Sequence, residues 1–430
     1  MEYLREMSSI RSPYHHLVSK KHSADHGLQL PRHRKLPKVV MWLAATVALS
    51  IVCGALYFVY SSVTNIIPGG LPPELDATPA VIPTQDDLKH SYGIAAGGSL
   101  GELSGDELDK RMAGIAASGA KWVRFDFNWA NIQPDNAKSY NWSVYDKLVL
   151  AAQKHKLYIL GILDYTPEWA RAAACKDTDK CRPANNNQFA QFARTVANRY
   201  KNRGLHYWEI WNEPNNPQFW QPAANPTEYT RLLQVTSKAL RAEDKEAFVI
   251  TAGLSPQETE DDAYAPIDFL SGVYRAGGKD SFDAVAHHPY TFPISPKSSP
   301  YHAWTQMSDD KTGLRGLMIK NGDGTKKIWI TEYGAPTGGP GIVSTIENPQ
   351  LEEHPFVVDE RLQAKLLGDA IELYKSYDWV GPFMYYSYKD AGTTPDTNEN
   401  FFGLVRADDS KKPAYQTFQD AAMGTKAQSQ

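Results

Sequence analysis

Trp208-Glu209-Ile210-Trp211-Asn212-Glu213-Pro214-Asn215 reads as a short apolar strand that stops at a polar cluster. Alternate residues of a strand face opposite sides, so Glu209 and Glu213 share one face, and Pro214, which has no backbone N–H, cannot continue the pairing. Working outward, seven more short apolar or aromatic runs recur along the chain: Tyr92–Ala95, Trp122–Phe127, Leu157–Leu163, Phe248–Ala252, Phe282–Ala286, Lys327–Thr331 and Pro382–Tyr386. With Tyr207–Trp211 they make eight. The intervals between them carry helical spacing and helix-start signals. Ser104-Gly-Asp-Glu107 has the form of a capping box ahead of Leu108, Met112, Ile115 and Gly119. Asn225-Pro226-Thr227-Glu228 supplies a cap, a first-turn proline and an acidic third position. Leu362, Leu366, Ala370, Leu373 and Tyr377 form a further apolar stripe. Strands alternating with helices favour a parallel sheet, and eight of them close it, so the expected fold is α/β, a (β/α)8 TIM barrel over residues 88–424. A doubly wound open sheet would carry a glycine-rich phosphate fingerprint after the first strand. Ala-Ala-Gly-Gly-Ser-Leu-Gly there lacks that spacing.

Ahead of the barrel the chain changes character. Val39 to Tyr60 contains no formal charge and is long enough as a helix to cross a hydrocarbon core of about 30 Å. The 38 residues before it carry eight Lys/Arg against Glu2, Glu6 and Asp25. These features predict a cytoplasmic basic tail (1–38), one transmembrane helix acting as an uncleaved signal-anchor (39–60), and an extracytoplasmic remainder. Residues 61–87, with Pro68, Pro72, Pro73, Pro79, Pro83, Gly69 and Gly70, read as a stalk. After Lys38 there are 37 basic and 46 acidic residues, which argues against a nucleic-acid partner. Cys175 and Cys181 lie close together in a polar segment on the expected oxidising side, so a loop disulfide is expected between them. The aromatic content, 11 Trp, 23 Tyr and 15 Phe, exceeds what a core alone requires and suits a cleft that packs on the C–H faces of sugars.

In a barrel of this kind reactive groups sit at the C-terminal ends of the strands. Two carboxylates occupy such places: Glu213 after the fourth strand, and Glu332 in Trp329-Ile330-Thr331-Glu332-Tyr333-Gly334 after the seventh. Strands four and seven face each other across the mouth. Glycoside hydrolysis requires two carboxyl groups in opposite protonation states, and a separation of about 5–5.5 Å corresponds to retention through a covalent intermediate. Partial burial beside a negative neighbour favours the protonated form that an acid needs.

The run Trp208 to Trp220, Trp-Glu-Ile-Trp-Asn-Glu-Pro-Asn-Asn-Pro-Gln-Phe-Trp, together with the second aromatic-flanked Glu at the seventh strand, resembles the clan A retaining glycosidases, glycoside hydrolase family 39 in particular, with family 5-like features. The resemblance extends from about Tyr92 to Phe418. It implies Glu213 as general acid/base, Glu332 as nucleophile, and Asn212 as hydrogen-bond partner of the sugar 2-hydroxyl. It further implies Arg124 beside the nucleophile, where an ion pair with Glu209 is the other reading. His288-Pro289-Tyr290 resembles the clan's His-x-Tyr pair, the His contacting substrate and the Tyr bonding the nucleophile. Many members place a Trp on the eighth strand, whereas this chain has Tyr386. Asp164, Tyr165, Trp169, Trp129, Trp220 and Trp304 are further subsite candidates. His287 has the opposite parity to His288 and is expected to face the barrel wall, so neither a metal site nor a cofactor is expected. The expected activity is hydrolysis of a cell-surface or extracellular polysaccharide by a membrane-anchored retaining β-glycosidase. A non-catalytic glycan-binding or assembly protein and a transglycosylase are the alternatives.

Overall fold

The computed structural model describes residues 70–298, 302–351 and 356–424. Eight parallel strands close a barrel: β1 (Tyr92–Ala95), β2 (Trp122–Asn128), β3 (Tyr158–Asp164), β4 (Tyr207–Ile210), β5 (Phe248–Leu254), β6 (Ala284–His287), β7 (Lys327–Ile330) and β8 (Val380–Tyr386). The principal helices alternate with them: α1 (Gly105–Ala117), α2 (Ser143–Lys154), α3 (Asn186–Tyr200), α4 (Pro226–Glu243), α5 (Pro266–Arg275), α6 (Leu314–Lys320), α7 (Glu360–Ser376) and α8 (Pro413–Met423). The two helix starts read from the sequence form as read. Ser104 and Glu107 make the reciprocal capping box, and the Asn225 side chain accepts from the Thr227 and Glu228 N–H groups ahead of α4.

Where boundaries differ from those expected, the backbone explains why. Trp211 adopts φ 73°, which takes it out of β4 and turns the chain toward Asn212 and Glu213. β8 begins at Val380, two residues early, although Pro382 contributes no N–H; its pairing with β7 accordingly shifts between Val380 and Phe383. β6 starts at Ala284, two residues later than expected, with Phe282 and Asp283 linking it to a turn of 3-10 helix at Lys279–Ser281.

The barrel interior is filled from the base upward. Trp122, Tyr207 and Trp329 pack edge to face or stacked, with ring centroids 5.1–6.1 Å apart, and Leu160, Ile250, Ala284 and Met384 complete this lower plug. Gly381 makes room for it, since a Cβ there would lie 2.4 Å from Trp329 Cδ1. Above the plug the inward positions turn polar: Arg124, Glu209 and then the strand-end residues. An apolar floor under a ring of charge leaves the polar groups one direction to face, the mouth.

Residues 70–87, expected as the distal part of a stalk, instead pack against the base of the barrel. Leu75 is fully buried. The Arg203 guanidinium donates to the carbonyl oxygens of Leu75, Asp76 and Thr78 at 2.8–3.0 Å. The Asp87 carboxylate accepts from Lys121, Thr84 and Tyr158 at 2.5–2.9 Å. Its prolines and glycines signal irregular backbone, but the buried Leu75, the Asp87 carboxylate and the carbonyls bound by Arg203 hold that backbone down. The basic tail, the transmembrane helix and residues 61–69 of the stalk lie outside the described residues. Among the described residues no helix is long and apolar enough to cross a membrane. Cys175 and Cys181 form the expected disulfide in the β3–α3 loop.

Candidate active site

Glu213 leaves β4 through a strained turn. Its own φ is 46° and that of Trp211 is 73°, both in the left-handed region that non-glycine residues seldom occupy. The turn is held by a bond from the Glu213 N–H to the Gly253 carbonyl at 3.1 Å, and by Asn215, whose amide donates to the Ser255 and Tyr264 carbonyls at 2.8 and 2.9 Å. Glu332 follows β7 directly. One carboxylate oxygen of Glu213, one of Glu332 and a ring nitrogen of His288 all lie within 4.8 Å of one another.

Each of these groups is positioned by a buried partner. The Arg124 guanidinium, 2% exposed, donates through Nε and Nη2 to Glu209 at 2.7 and 2.9 Å, through Nη1 to Glu332 at 2.5 Å, and through Nη2 to Asn212 Oδ1 at 2.8 Å. Both readings of Arg124 therefore hold at once: it pairs with Glu209 below and with Glu332 above. Because arginine only donates, the Asn212 oxygen faces it and the Asn212 amide N–H groups face the cavity. Tyr290 donates its hydroxyl to the other Glu332 oxygen at 2.7 Å. Burial pushes the Glu332 carboxyl up, but the positive charge of His288 when protonated, that of Arg124, and the Tyr290 hydroxyl outweigh it, so the group sits below the ordinary carboxylate range and is ionised.

Removing Arg124 leaves Glu209 fully buried without a counter-charge. Arg124→Met is expected to lower unfolding free energy by about 3–5 kcal/mol, measurable by denaturant titration, with midpoint loss near wild type excluding this arrangement.

His288 is fully buried, with Nδ1 2.8 Å from Glu213 Oε1 and Nε2 3.1 Å from Thr331 Oγ1. A proton on the first line can rest on Glu213 or on the imidazole, with Thr331 donating or accepting to suit. Gly253 is what admits the ring: a Cβ at that position would stand 2.0 Å from His288 Nε2. His287 points the other way, as its parity implied, and its ring nitrogens lie 2.7 and 3.3 Å from the carbonyls of Leu254 and Ala303. Glu213, His288 and Glu332 are also of metal-ligating types, but Arg124 donates to one Glu332 oxygen and Tyr290 to the other, and the guanidinium charge beside that carboxylate disfavours a cation.

Arg124, Asn212, Glu213, Tyr290 and Glu332 line a cavity of about 650 Å³ that also includes Tyr386, Asp126, Glu399 and the aromatic side chains Tyr165, Phe292 and Phe402, whereas His288, expected to contact substrate, is fully buried against Glu213 and is not part of the lining. Tyr386 packs at 5.2 Å against Phe402 and donates to Glu399 at 3.0 Å, so the eighth-strand tyrosine occupies the cavity wall. Five subsite candidates do not line the cavity, among them Trp169, which is half-buried on Trp129. Trp129 is fully buried against Trp169, Phe189 and Phe192, Trp220 packs on Trp211 and Tyr229, and Asp164 is fully buried. Trp304 is likewise buried, on Tyr333. The tryptophans pin loops, because a ring that size gains more from complete burial than from a half-exposed edge.

Sequence reasoning missed Asp126, Glu399, Thr331 and Gly253. Asp126 was recoverable, since it shares strand parity with Arg124 two residues before it. Burial raises the Asp126 carboxyl to about 6, against the lowering effect of Arg124. A carboxyl raised by folding is least costly when protonated: the native state suffers no penalty below its ordinary value of 3.8, and the penalty grows as pH rises through 6. Asp126→Asn is accordingly expected to match wild-type stability near pH 4 and to exceed it by about 1–3 kcal/mol at pH 7.5. A thermal-unfolding pH series checks this, and an offset that does not change with pH refutes it.

The family model described as Cellulase (glycosyl hydrolase family 5) matches residues 96–350. A β-xylosidase of Geobacillus stearothermophilus is 24% identical over 235 residues, 51% of this chain and 42% of that protein. Among solved structures, a family 39 glycoside hydrolase from Bacteroides cellulosilyticus WH2 has a TM-score of 0.59 at 22% identity, covering 80% of this chain and 66% of that one. A GH39 enzyme from Xanthomonas axonopodis pv. citri has a TM-score of 0.57 at 16% identity, covering 81% and 71%. At such identities the structures share the barrel, and the chain spans less than two thirds of the first two relatives.

Proposed function

This chain belongs to the cellulase family, glycosyl hydrolase family 5, and we propose that it hydrolyses a β-linked glycan with retention of anomeric configuration, through a glycosyl-enzyme intermediate on Glu332. The observation that carries this reading is the approach of Glu213 and Glu332 oxygens to within 4.8 Å. Inverting enzymes separate their carboxyl groups by about 6.5–9.5 Å to admit a water molecule, and that room is lacking between these two.

In the first step the ionised Glu332 attacks the anomeric carbon while Glu213 gives its proton to the leaving oxygen. In the second, Glu213 takes a proton from water as water displaces Glu332. Arg124 and Tyr290 hold the nucleophile's carboxylate in place, and the Asn212 amide is free to bond the sugar 2-hydroxyl, a contact that strengthens in the transition state. We further propose that the substrate is a cell-wall or extracellular polysaccharide, and that residues 39–60 hold the enzyme at the membrane face where such chains emerge. The uncharged run, its basic flank and the acidic remainder support this placement.

Proton NMR of early products from an aryl β-glycoside is expected to show the β-anomer forming first, with the α-anomer growing in only as mutarotation proceeds. Initial accumulation of the α-anomer would refute the double displacement. Sugar transfer to added alcohol acceptors at the expense of hydrolysis would place the enzyme among transglycosylases.

A further inference from the structure

We infer that a crevice on the outer rim of the barrel mouth, between the starts of α3 and α4, is an anion site that takes a phosphate group. Neither Glu213 nor Glu332 lines it, so its occupancy is independent of the reaction proposed for them.

The crevice measures about 300 Å³. α3 and α4 follow β3 and β4, so both helices begin on the side of the barrel that carries the active site, and the crevice lies beside the mouth. Its walls are held before any ligand arrives. Arg182 directly follows the Cys175–Cys181 disulfide; its N–H donates to the Gln221 carbonyl at 3.2 Å, and its own carbonyl accepts from Ala172 at 3.1 Å. Trp220, from the β4–α4 loop, is buried on Trp211 and Tyr229.

Donors outnumber acceptors along this lining. Arg182 and Arg231 contribute two positive charges, against Glu228 as the single acidic residue. Arg182 Nε lies 2.9 Å from Glu228 Oε2, which matches that carboxylate, while the Arg182 terminal nitrogens and the Arg231 guanidinium have no partner among the described residues. The charge left over is positive. α3, a helix of 15 residues, starts at the crevice with no acidic residue in its first turn, so its unpaired N–H groups and the positive end of its dipole add to that charge. Asn185 Oδ1 accepts from the Asn187 N–H at 3.0 Å, which leaves the Asn185 amide N–H groups as further donors.

The observation that calls for a ligand is the indole N–H of Trp220, which is buried and meets no acceptor among the described residues. Indole nitrogen only donates, so whatever completes it is an acceptor. Guanidinium, indole, amide and helix N-terminus come from different walls, and a tetrahedral oxyanion has oxygens for all of them, whereas a carboxylate has two. The phosphate arrives either free or as an ester on a sugar, and the two sources are separable.

The test is titration of the full chain with inorganic phosphate and with glucose 6-phosphate, followed by calorimetry at low ionic strength, with glucose as the uncharged comparison. Phosphate is expected to bind with a Kd of about 1–10 mM and more weakly as salt is added. Arg231→Ala, at an exposed position of α4, is expected to weaken binding by about tenfold, and Arg231→Lys by less. Trp220→Phe keeps an aromatic ring in the packing and removes only the donor, and is expected to weaken binding by about threefold or more. Tighter binding of the ester than of inorganic phosphate identifies a phosphorylated glycan as the source, and equal binding identifies free phosphate. Absence of binding up to about 50 mM phosphate, or equal affinity in wild type, Arg231→Ala and Trp220→Phe, overturns the site. Glucose binding as tightly as glucose 6-phosphate overturns its preference for an anion.

Discussion

Glu332→Gln is expected to lower kcat/KM on an activated aryl β-glycoside by about 10⁴-fold or more, with little change in thermal stability. The amide retains the shape of the carboxyl group and an oxygen that accepts from Arg124 or Tyr290, but it cannot form the acyl-type glycosyl ester on which turnover depends. Arg124 keeps the fully buried Glu209 as its counter-charge, through two bonds of 2.7 and 2.9 Å, so the loss of one negative charge above it does not strip the guanidinium of compensation. Activity within tenfold of wild type would remove Glu332 from the chemistry. A steep fall in stability would instead show that its charge holds the barrel mouth together.

Glu213→Ala is expected to divide substrates by their leaving group. A poor leaving group such as an alkoxide requires the proton that Glu213 provides, and its kcat/KM should fall by about 10²–10⁴-fold. A dinitrophenolate departs without assistance, so attack by Glu332 proceeds and the slow second step causes a burst. Azide, which needs no general base, should then accelerate turnover and yield a β-glycosyl azide. Equal losses for both leaving groups, with no azide effect, would mean that Glu213 acts through structure alone. The strained φ of 46° at Glu213 bears on the choice of Ala: a smaller side chain relieves crowding without altering the Gly253 bond made by the backbone.

The barrel was legible because each strand is a short, strongly apolar segment with a terminating signal, and because helix caps at Ser104 and Asn225 mark the intervals. Parity within strands carried much of the site as well. Arg124 and Glu209 point inward, and His287 and His288 part in opposite directions, as a period of two requires. What parity cannot weigh is burial. Trp129 and Trp220 have the composition of sugar platforms, yet whether an aromatic ring faces a cleft or a neighbouring helix depends on Phe189, Phe192 and Tyr229, distant in sequence. Glu399 sits thirteen residues beyond Tyr386 in a loop without periodicity, and only the fold brings their side chains to 3.0 Å. Residues 70–87 misled for a related reason. Proline and glycine report irregular backbone, not whether it is free, and the carbonyl-binding Arg203 that fastens this segment lies more than a hundred residues away.

The most direct measurement is to trap the intermediate. Incubation with dinitrophenyl 2-deoxy-2-fluoro-β-glycosides of glucose and xylose slows both steps but the second more, and mass mapping of the digested protein then locates the attached sugar. Glycosylation of the peptide carrying Glu332, absent in Glu332→Gln, is the outcome expected here. Attachment to any other residue, or turnover by direct inversion with no adduct, would contradict it.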